Sequence, residues 1–421
     1  VRPMPATMIN VCPRWSPDDR SIAFHGHVAP YFDQRIFVTS IHGGAARDVV
    51  RGAILRGLSW VPDGSGIVYS SSADSALPYP PVFGLRELDL TSGVDWQLTF
   101  GDASFVDPDV HRSGTLVASR VRSRSDIWRF PIAGSPAENT LGAVRVTHQA
   151  GRVQTPSVSA DGSELVYLSD SGGRANLWIA NVATGESRQL TFDQEAGQGV
   201  SVPVWSPAGD RIAFLRSRRG EPQLWTIKID GSGLRQLPMG GYYATWSPDG
   251  QWIYFSPPNE RPWRIARQPS TGGEIENVRQ DDAVAPALAA DGTMYYASMI
   301  NPGEFTICAV HPGQDDVRVL TRLSESRIPT SPALIHMFLS PDGGSLALPL
   351  LDGPATNLWV VSTRDGAMRP LTDFGERAVL MSRRIAWAPD GQSLFAAVEE
   401  SDADVVSLTG LLLVDASAGK P

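Results

Sequence analysis

The chain has 421 residues, 42% of them hydrophobic and 19% charged, which is too apolar for disorder and long enough to bury large cores. Its net charge of −9 leaves no basic footprint for a phosphate backbone or an anionic membrane surface, so nucleic-acid binding is not expected, and with no apolar run near the ~20 residues that span a bilayer, neither is membrane insertion. Lys228 and Lys420 are the only lysines, which argues against Schiff-base and P-loop chemistry.

Taken in order, the chain repeats one short pattern: an apolar run ending in Trp, a Ser-Pro-Asp-Gly turn, and a second β-rich run. The copies are Trp15-Ser-Pro-Asp-Asp19, Trp60-Val-Pro-Asp-Gly64, Val110-His-Arg-Ser-Gly114, Val158-Ser-Ala-Asp-Gly162, Trp205-Ser-Pro-Ala-Gly209, Trp246-Ser-Pro-Asp-Gly250, Leu288-Ala-Ala-Asp-Gly292, Leu339-Ser-Pro-Asp-Gly343 and Trp387-Ala-Pro-Asp-Gly391. The fullest copy, Trp246 to Gly250, reads as a hairpin with Pro248 presetting the first corner, Asp249 bonding the backbone two residues on, and Gly250 taking a positive φ; Val110-His-Arg-Ser-Gly114 lacks Trp, Pro and Asp, and Val158 and Leu288 replace the anchor Trp. Successive anchors lie 41 to 51 residues apart, a spacing typical of propeller blades and solenoids.

After each hairpin comes a third strand, such as Asn176-Leu-Trp-Ile-Ala-Asn-Val182 or Asn357-Leu-Trp-Val-Val-Ser362, then a glycine turn and a short fourth strand, such as Ser187-Arg-Gln-Leu-Thr191. A lone four-stranded sheet leaves apolar surface on both faces, so neighbouring copies must stack, and radial closure covers the end faces. The expectation is an all-β fold: one β-propeller domain over residues 1–421 with four-stranded antiparallel blades. Nine blades are favoured, or eight if the weak third repeat is absorbed. Closure is expected from the N-terminal segment Arg2 to Ile9, supplying the last strand of the ninth blade. Ten of the 12 tryptophans stand at two repeat positions, the anchor (Trp15, Trp60, Trp205, Trp246, Trp387) and the third strand (Trp128, Trp178, Trp225, Trp263, Trp359). They are expected to be packing residues.

The run Pro203-Val-Trp-Ser-Pro-Ala-Gly-Asp-Arg-Ile-Ala-Phe214 followed by Leu224-Trp225 resembles the TolB-type β-propeller repeat, and the likeness recurs over almost the whole chain. More narrowly, Tyr167-Leu-Ser-Asp-Ser-Gly-Gly-Arg-Ala-Asn-Leu-Trp178 and Arg188-Gln-Leu-Thr191 resemble the C-terminal propellers of bacterial regulators that carry a Ser/Thr kinase or winged-helix domain upstream. The resemblance implies a sensor or scaffold arm of a longer protein. It favours an extracytoplasmic, periplasmic setting over a cytoplasmic one, and a monomer.

Enzyme signatures are missing from the sequence: it has no G-x-S-x-G elbow, H-E-x-x-H helix, G-x-x-x-x-G-K-[ST] loop or C-x-x-C pair. His25 and His27 share one strand face, with Asp33 near, but no third metal ligand is evident, and no metal or cofactor is expected. Cys12 and Cys308 lie in different repeats.

Propeller sites lie where the loops entering the inner strands converge. The position three residues before each anchor holds Cys12, Gly57, Asp107, Thr155, Val202, Tyr243, Ala285, His336 and Arg384. From this column Asp107, Tyr243, His336 and Arg384, with Arg56 and Gln154 one residue further back, are the candidate binding residues of a polar channel mouth. The expected function is non-catalytic binding of a protein, peptide or small ligand. The rival is a TolB-like lyase, or the substrate-gating propeller of a hydrolase.

Overall fold

The anchor turns form as their residues dictate. The last anchor position has φ between 58° and 83° in all nine repeats, at Asp19 and then at Gly64, Gly114, Gly162, Gly209, Gly250, Gly292, Gly343 and Gly391. In the Ser-x-Asp turns the hydroxyls of Ser16, Ser159, Ser247 and Ser340 donate to Asp18, Asp161, Asp249 and Asp342 at 2.5–2.6 Å. Each hydroxyl also accepts the backbone N–H five residues on, which locks the start of the second strand. These hydrogen bonds hold the four carboxyls below their usual range, Asp161 at about 2.

The computed structural model describes residues 9–28, 33–52, 54–72, 81–194, 198–218, 221–258, 262–298, 303–314, 316–328, 336–381 and 384–409. Their regular structure is strand apart from one short α-helix, Pro136–Leu141, held by a capping box between Ser135 and Glu138, and a 3₁₀ turn at Glu325–Arg327. The chain divides into two compact units, residues 1–123 with 401–421 and residues 124–400. Three anchors lie in the first unit and six in the second.

In the first unit, Ile9–Trp15, Ser21–Val28, Asp33–Ser40 and Arg47–Gly52 form one antiparallel sheet, and Leu55–Trp60, Gly66–Ser71, Gly84–Asp89 and Asp95–Gln97 form the next. The third repeat pairs Ser104–Val110 with the start of Leu116–Pro131.

In the second unit the fourth to eighth repeats each make a four-stranded sheet in sequence order. Their inner strands Val153–Val158, Gln198–Trp205, Tyr242–Trp246, Ala283–Leu288 and Phe338–Leu339 pack each against the next. Ile385–Trp387 of the ninth repeat packs against both Phe338–Leu339 and Val153–Val158. Within this unit the six inner strands therefore follow one another in a closed cycle.

Closure of that cycle differs from the expectation. Ser393–Leu408 pairs with Ile385–Trp387 on one side and Leu116–Pro131 on the other, and Trp128 and Arg129 then pair with Arg145 and Val144. The outer strands of the ninth sheet thus come from residues 124–145, not from Arg2 to Ile9. Residues 1–8 lie outside the described residues, and Ile9 pairs with His27 in the first sheet. The reason is legible in composition. No Gly or Pro interrupts residues 115–130 or 392–409, so neither stretch carries the Gly or Pro that marks the anchor turns, and each runs on as a 16-residue strand. One half of each strand serves the third repeat and the other half the ninth. Trp128, expected in the third repeat's own third strand, stands in the ninth sheet.

Anchor tryptophans link neighbouring sheets. The indole N–H groups of Trp60, Trp246 and Trp387 donate to Arg14 O, Val204 O and Phe338 O at 2.8–3.2 Å, each time the carbonyl just before the preceding repeat's anchor residue. Trp60, Trp205 and Trp246 are buried. Trp15, in the first repeat, is 59% exposed and departs from the expected packing role. The third-strand tryptophans are half-buried, and Trp225 and Trp359 lie under the guanidinium groups of Arg216 and Arg327.

Candidate functional site

The column chosen from sequence has one backbone conformation. Cys12, Gly57, Asp107, Thr155, Val202, Tyr243 and Ala285 all have φ between 51° and 61°, and beside each the inner-strand pairing slips register. This is a β-bulge in which one extra residue is left unpaired and its side chain is re-aimed. The left-handed region costs a non-glycine residue about 1–2 kcal/mol, and β-branched Thr155 and Val202 are the sharpest exceptions. Such residues persist in this region where the surrounding structure over-determines the backbone, and its recurrence makes the bulge a feature of the repeat.

Environment differs between the units. Arg56 and Asp107, in the first, are exposed. The Arg56 guanidinium lies 5.7 Å from the Phe83 ring, and Asp107 sits so close to Gly57 that a Cβ there would stand 2.5 Å from the Asp107 Cα. Gln154, Tyr243, His336 and Arg384, in the second, are all buried, at 2%, 3%, 6% and 7% exposure. The expected open polar lining is, in this unit, a filled mouth.

The filling spans the cycle. Arg384, from the ninth repeat, donates from Nη2 to Ala244 O of the sixth at 2.9 Å, and these two repeats stand opposite one another in the cycle of six. The Tyr243 and His336 rings meet at 4.9 Å between centroids, His336 stacks parallel to Phe338 at 6.1 Å, and the Arg384 guanidinium lies 5.1 Å from the Phe338 ring. Beside them is a cavity of about 280 Å³, lined among others by Tyr243, Ala285, His336, Met337, Phe338 and Arg384. Burial pushes Arg384 down to about 9. Its Nε, the Gln154 Nε2 and the Thr155 Oγ1 have no hydrogen-bond partner among the described residues.

A wider groove of about 460 Å³ on the same unit is bordered by Gly142, Thr184 and Gln392. Its arginines are already engaged, Arg145 with Asp126 at 2.7 Å and Arg129 with the Ser393 hydroxyl at 2.8 Å. Among the described residues no group of three or more His, Cys, Asp or Glu is placed to hold a metal. His25 is buried in its strand, and the side chains of His27 and Asp33 lie outside what is described. Cys12 and Cys308 are both free thiols, and burial pushes Cys308 up to about 11. Among the described residues no helix is long and apolar enough to cross a membrane.

Residues 140–339 match the family model described as the TolB beta propeller domain. Residues 140–339 thus carry TolB-type propeller repeats. A TolB homolog of Chlorobaculum tepidum is 36% identical over 23% of this chain and 22% of its own length. An uncharacterized protein of Agrobacterium fabrum, Atu1656, is 28% identical over 50% of this chain and 71% of its own. The uncharacterized peptidase YuxL of Bacillus subtilis is 29% identical over 36% of this chain and 29% of its own length. Among solved structures, a protein assigned as TolB from Agrobacterium tumefaciens superimposes with a TM-score of 0.50 at 17% identity. That match covers 66% of this chain and 99% of the other, and at this identity it speaks for the fold alone.

What the sequence missed was the bulge. Heterogeneity in the column was visible, but the left-handed conformation common to its members was hidden, because only Gly57 announces it by residue type.

Proposed function

We propose that the chain is a non-catalytic binding module that captures its ligand at the inner-strand mouth of residues 124–400, as the sensor or scaffold arm of a longer protein. One observation carries the reading: a cavity bordered by strained bulge positions holds a buried guanidinium whose Nε–H is unclaimed. Binding sites are concave, with a few placed polar groups, and this cavity sets the Arg384 guanidinium beside the Tyr243, His336 and Phe338 rings. In the first unit, Arg56 and Asp107 are proposed as a separate exposed polar contact. An extracytoplasmic setting and a protein, peptide or small-molecule partner go with the TolB likeness. The upstream kinase or winged-helix domain rests on the narrower resemblance of Tyr167 to Thr191.

The rival, a gating propeller of a hydrolase, is favoured by the likeness to the peptidase YuxL. The parent gene discriminates, since an α/β-hydrolase segment downstream would favour the rival. Asp107→Ala tests the separate contact of the first unit; the binding reading is tested by capture from host extract with the wild type and with an Arg384→Ala variant of equal melting temperature. Loss of the captured species supports the mouth as the binding surface. Identical capture by both proteins contradicts it.

A further inference from the structure

Two described arginines are buried, Arg152 and Arg384, and their surroundings differ. Arg152 has the Asp170 carboxylate at 3.7 Å. The partly exposed Arg35, Arg216, Arg279 and Arg327 likewise have Asp48, Asp193, Asp281 and Asp352 within 3.0 Å. Arg384 has a backbone carbonyl and a phenyl ring, which together satisfy part of the guanidinium fork without neutralising its charge. A desolvated cation without a counter-charge is costly, and removing one member of a buried ion pair leaves this situation behind. Arg384 stands as half of such a pair. Among the described residues the cavity lining contains no Asp or Glu, and Arg384 is the one arginine or lysine in it.

We propose that this cavity binds a carboxylate attached to an apolar or aromatic group, with the carboxylate on Arg384 and the apolar body against Tyr243, His336 and Phe338. The inference rests on the binding-module reading and names its ligand class. Charge decides for carboxylate over phosphate: one negative charge matches one guanidinium, whereas a phosphate dianion would keep surplus charge with no second Arg or Lys in the described lining. The planar fork of a guanidinium matches the two oxygens of a carboxylate, and the unclaimed Nε–H is one tine of that fork. Size sets the scale. A cavity of about 280 Å³ lies at the small end of ligand pockets, suited to a small acid or to the last residue of a peptide. These two sources share the same chemistry, and the experiment separates them.

The test is isothermal titration of the full chain near pH 7.5 with phenylacetate, phenylacetamide, inorganic phosphate, and the tetrapeptide Ala-Ala-Ala-Phe with a free or an amidated C-terminus. Phenylacetate is expected to bind at least about tenfold more tightly than its amide or phosphate, the margin of one charge-assisted bidentate contact. Arg384→Met should abolish the difference while the melting temperature holds or rises, because a buried unpaired charge has been removed. Arg384→Lys, which keeps charge and loses the fork, should bind between the two. Binding of the free-acid peptide and not the amidated one assigns the source to a chain terminus; binding of phenylacetate alone assigns it to a free acid.

Three results overturn the proposal: no heat from any acid, equal binding of acid and amide, or unchanged binding by Arg384→Met. A fall of several degrees in the melting temperature of both Arg384 variants, with no acid-specific binding by the wild type, makes the arginine a strut to Ala244 and also overturns it. If the acids fail while capture from host extract still depends on Arg384, the ligand class falls and the binding-module reading stands.

Discussion

The same bulge recurs in both units of the chain, yet it presents solvent-facing charge in one and a packed interior in the other. Asp107 and Tyr243 stand at equivalent positions with φ of 51° and 61°, but Asp107 is exposed and Tyr243 is buried. In residues 124–400 six inner strands succeed one another in a closed cycle, so side chains re-aimed by the bulges meet across it, as Arg384 meets Ala244. In the first unit three repeats present the same position without such filling at Arg56 and Asp107. The repeat therefore dictates backbone conformation, and the number of repeats that close on one another decides whether the position becomes a surface or an interior.

The largest expected effect breaks this comparison at the anchor tryptophans. Trp246→Ala removes a buried indole and its bond to Val204 O and should cost about 3–5 kcal/mol. Trp15→Ala, at the same repeat position but mostly exposed, should change stability by no more than ~0.5 kcal/mol. Urea unfolding measures both. Similar losses for the two would show that the repeat position, not its surroundings, sets the energetics.

Next comes the bulge itself. Gly57→Ala should cost about 2 kcal/mol or more, since the left-handed region disfavours a Cβ and Asp107 occupies its place. The opposite exchange, Ala285→Gly, gives up a buried methyl worth about 0.8 kcal/mol and relieves comparable strain, so its unfolding midpoint should barely move. A large loss at Ala285 would contradict the strain assignment.

A third prediction sets the two units' buried charges side by side. Glu87, in the first unit, is buried with Oε2 unpartnered, and burial pushes its carboxyl up to about 7, helped by Asp63 and Asp89. A carboxyl raised above its unfolded value favours the folded state while protonated, so its contribution is fully present below about 4.5 and is lost as pH rises through about 7. Glu87→Gln should therefore raise stability at pH 8 by on the order of 2 kcal/mol and change little at pH 4. An equal effect at both pH values would mean that Glu87 is not titrating in this range.

The repeats, their strand order and their turn chemistry are legible because most anchor turns spell their φ requirement in Pro, Asp or Gly. The packing role of Trp246 followed from its recurrence, while the exposure of Trp15 did not, because a repeat's sequence does not say which neighbour covers it. Closure was misplaced for a similar reason. Attention to turn residues located every hairpin, whereas the informative feature of residues 115–130 was the absence of Gly and Pro, which turns a hairpin into one long strand. Of the candidate residues, Tyr243, His336 and Arg384 line one cavity, and Gln154 is buried in the same unit. Arg56 and Asp107 are exposed in the other unit, because burial depends on contacts far apart in sequence.

The most direct test of the account is the unfolding of residues 124–400 expressed alone, followed by tryptophan fluorescence and near-ultraviolet circular dichroism in urea. If these six repeats close on themselves through Arg124–Pro131 and Ser393–Glu400, the fragment will keep its near-ultraviolet spectrum and unfold in one cooperative transition by both probes. A fragment with no near-ultraviolet signal, or with a broad non-coincident transition, would contradict closure within this unit.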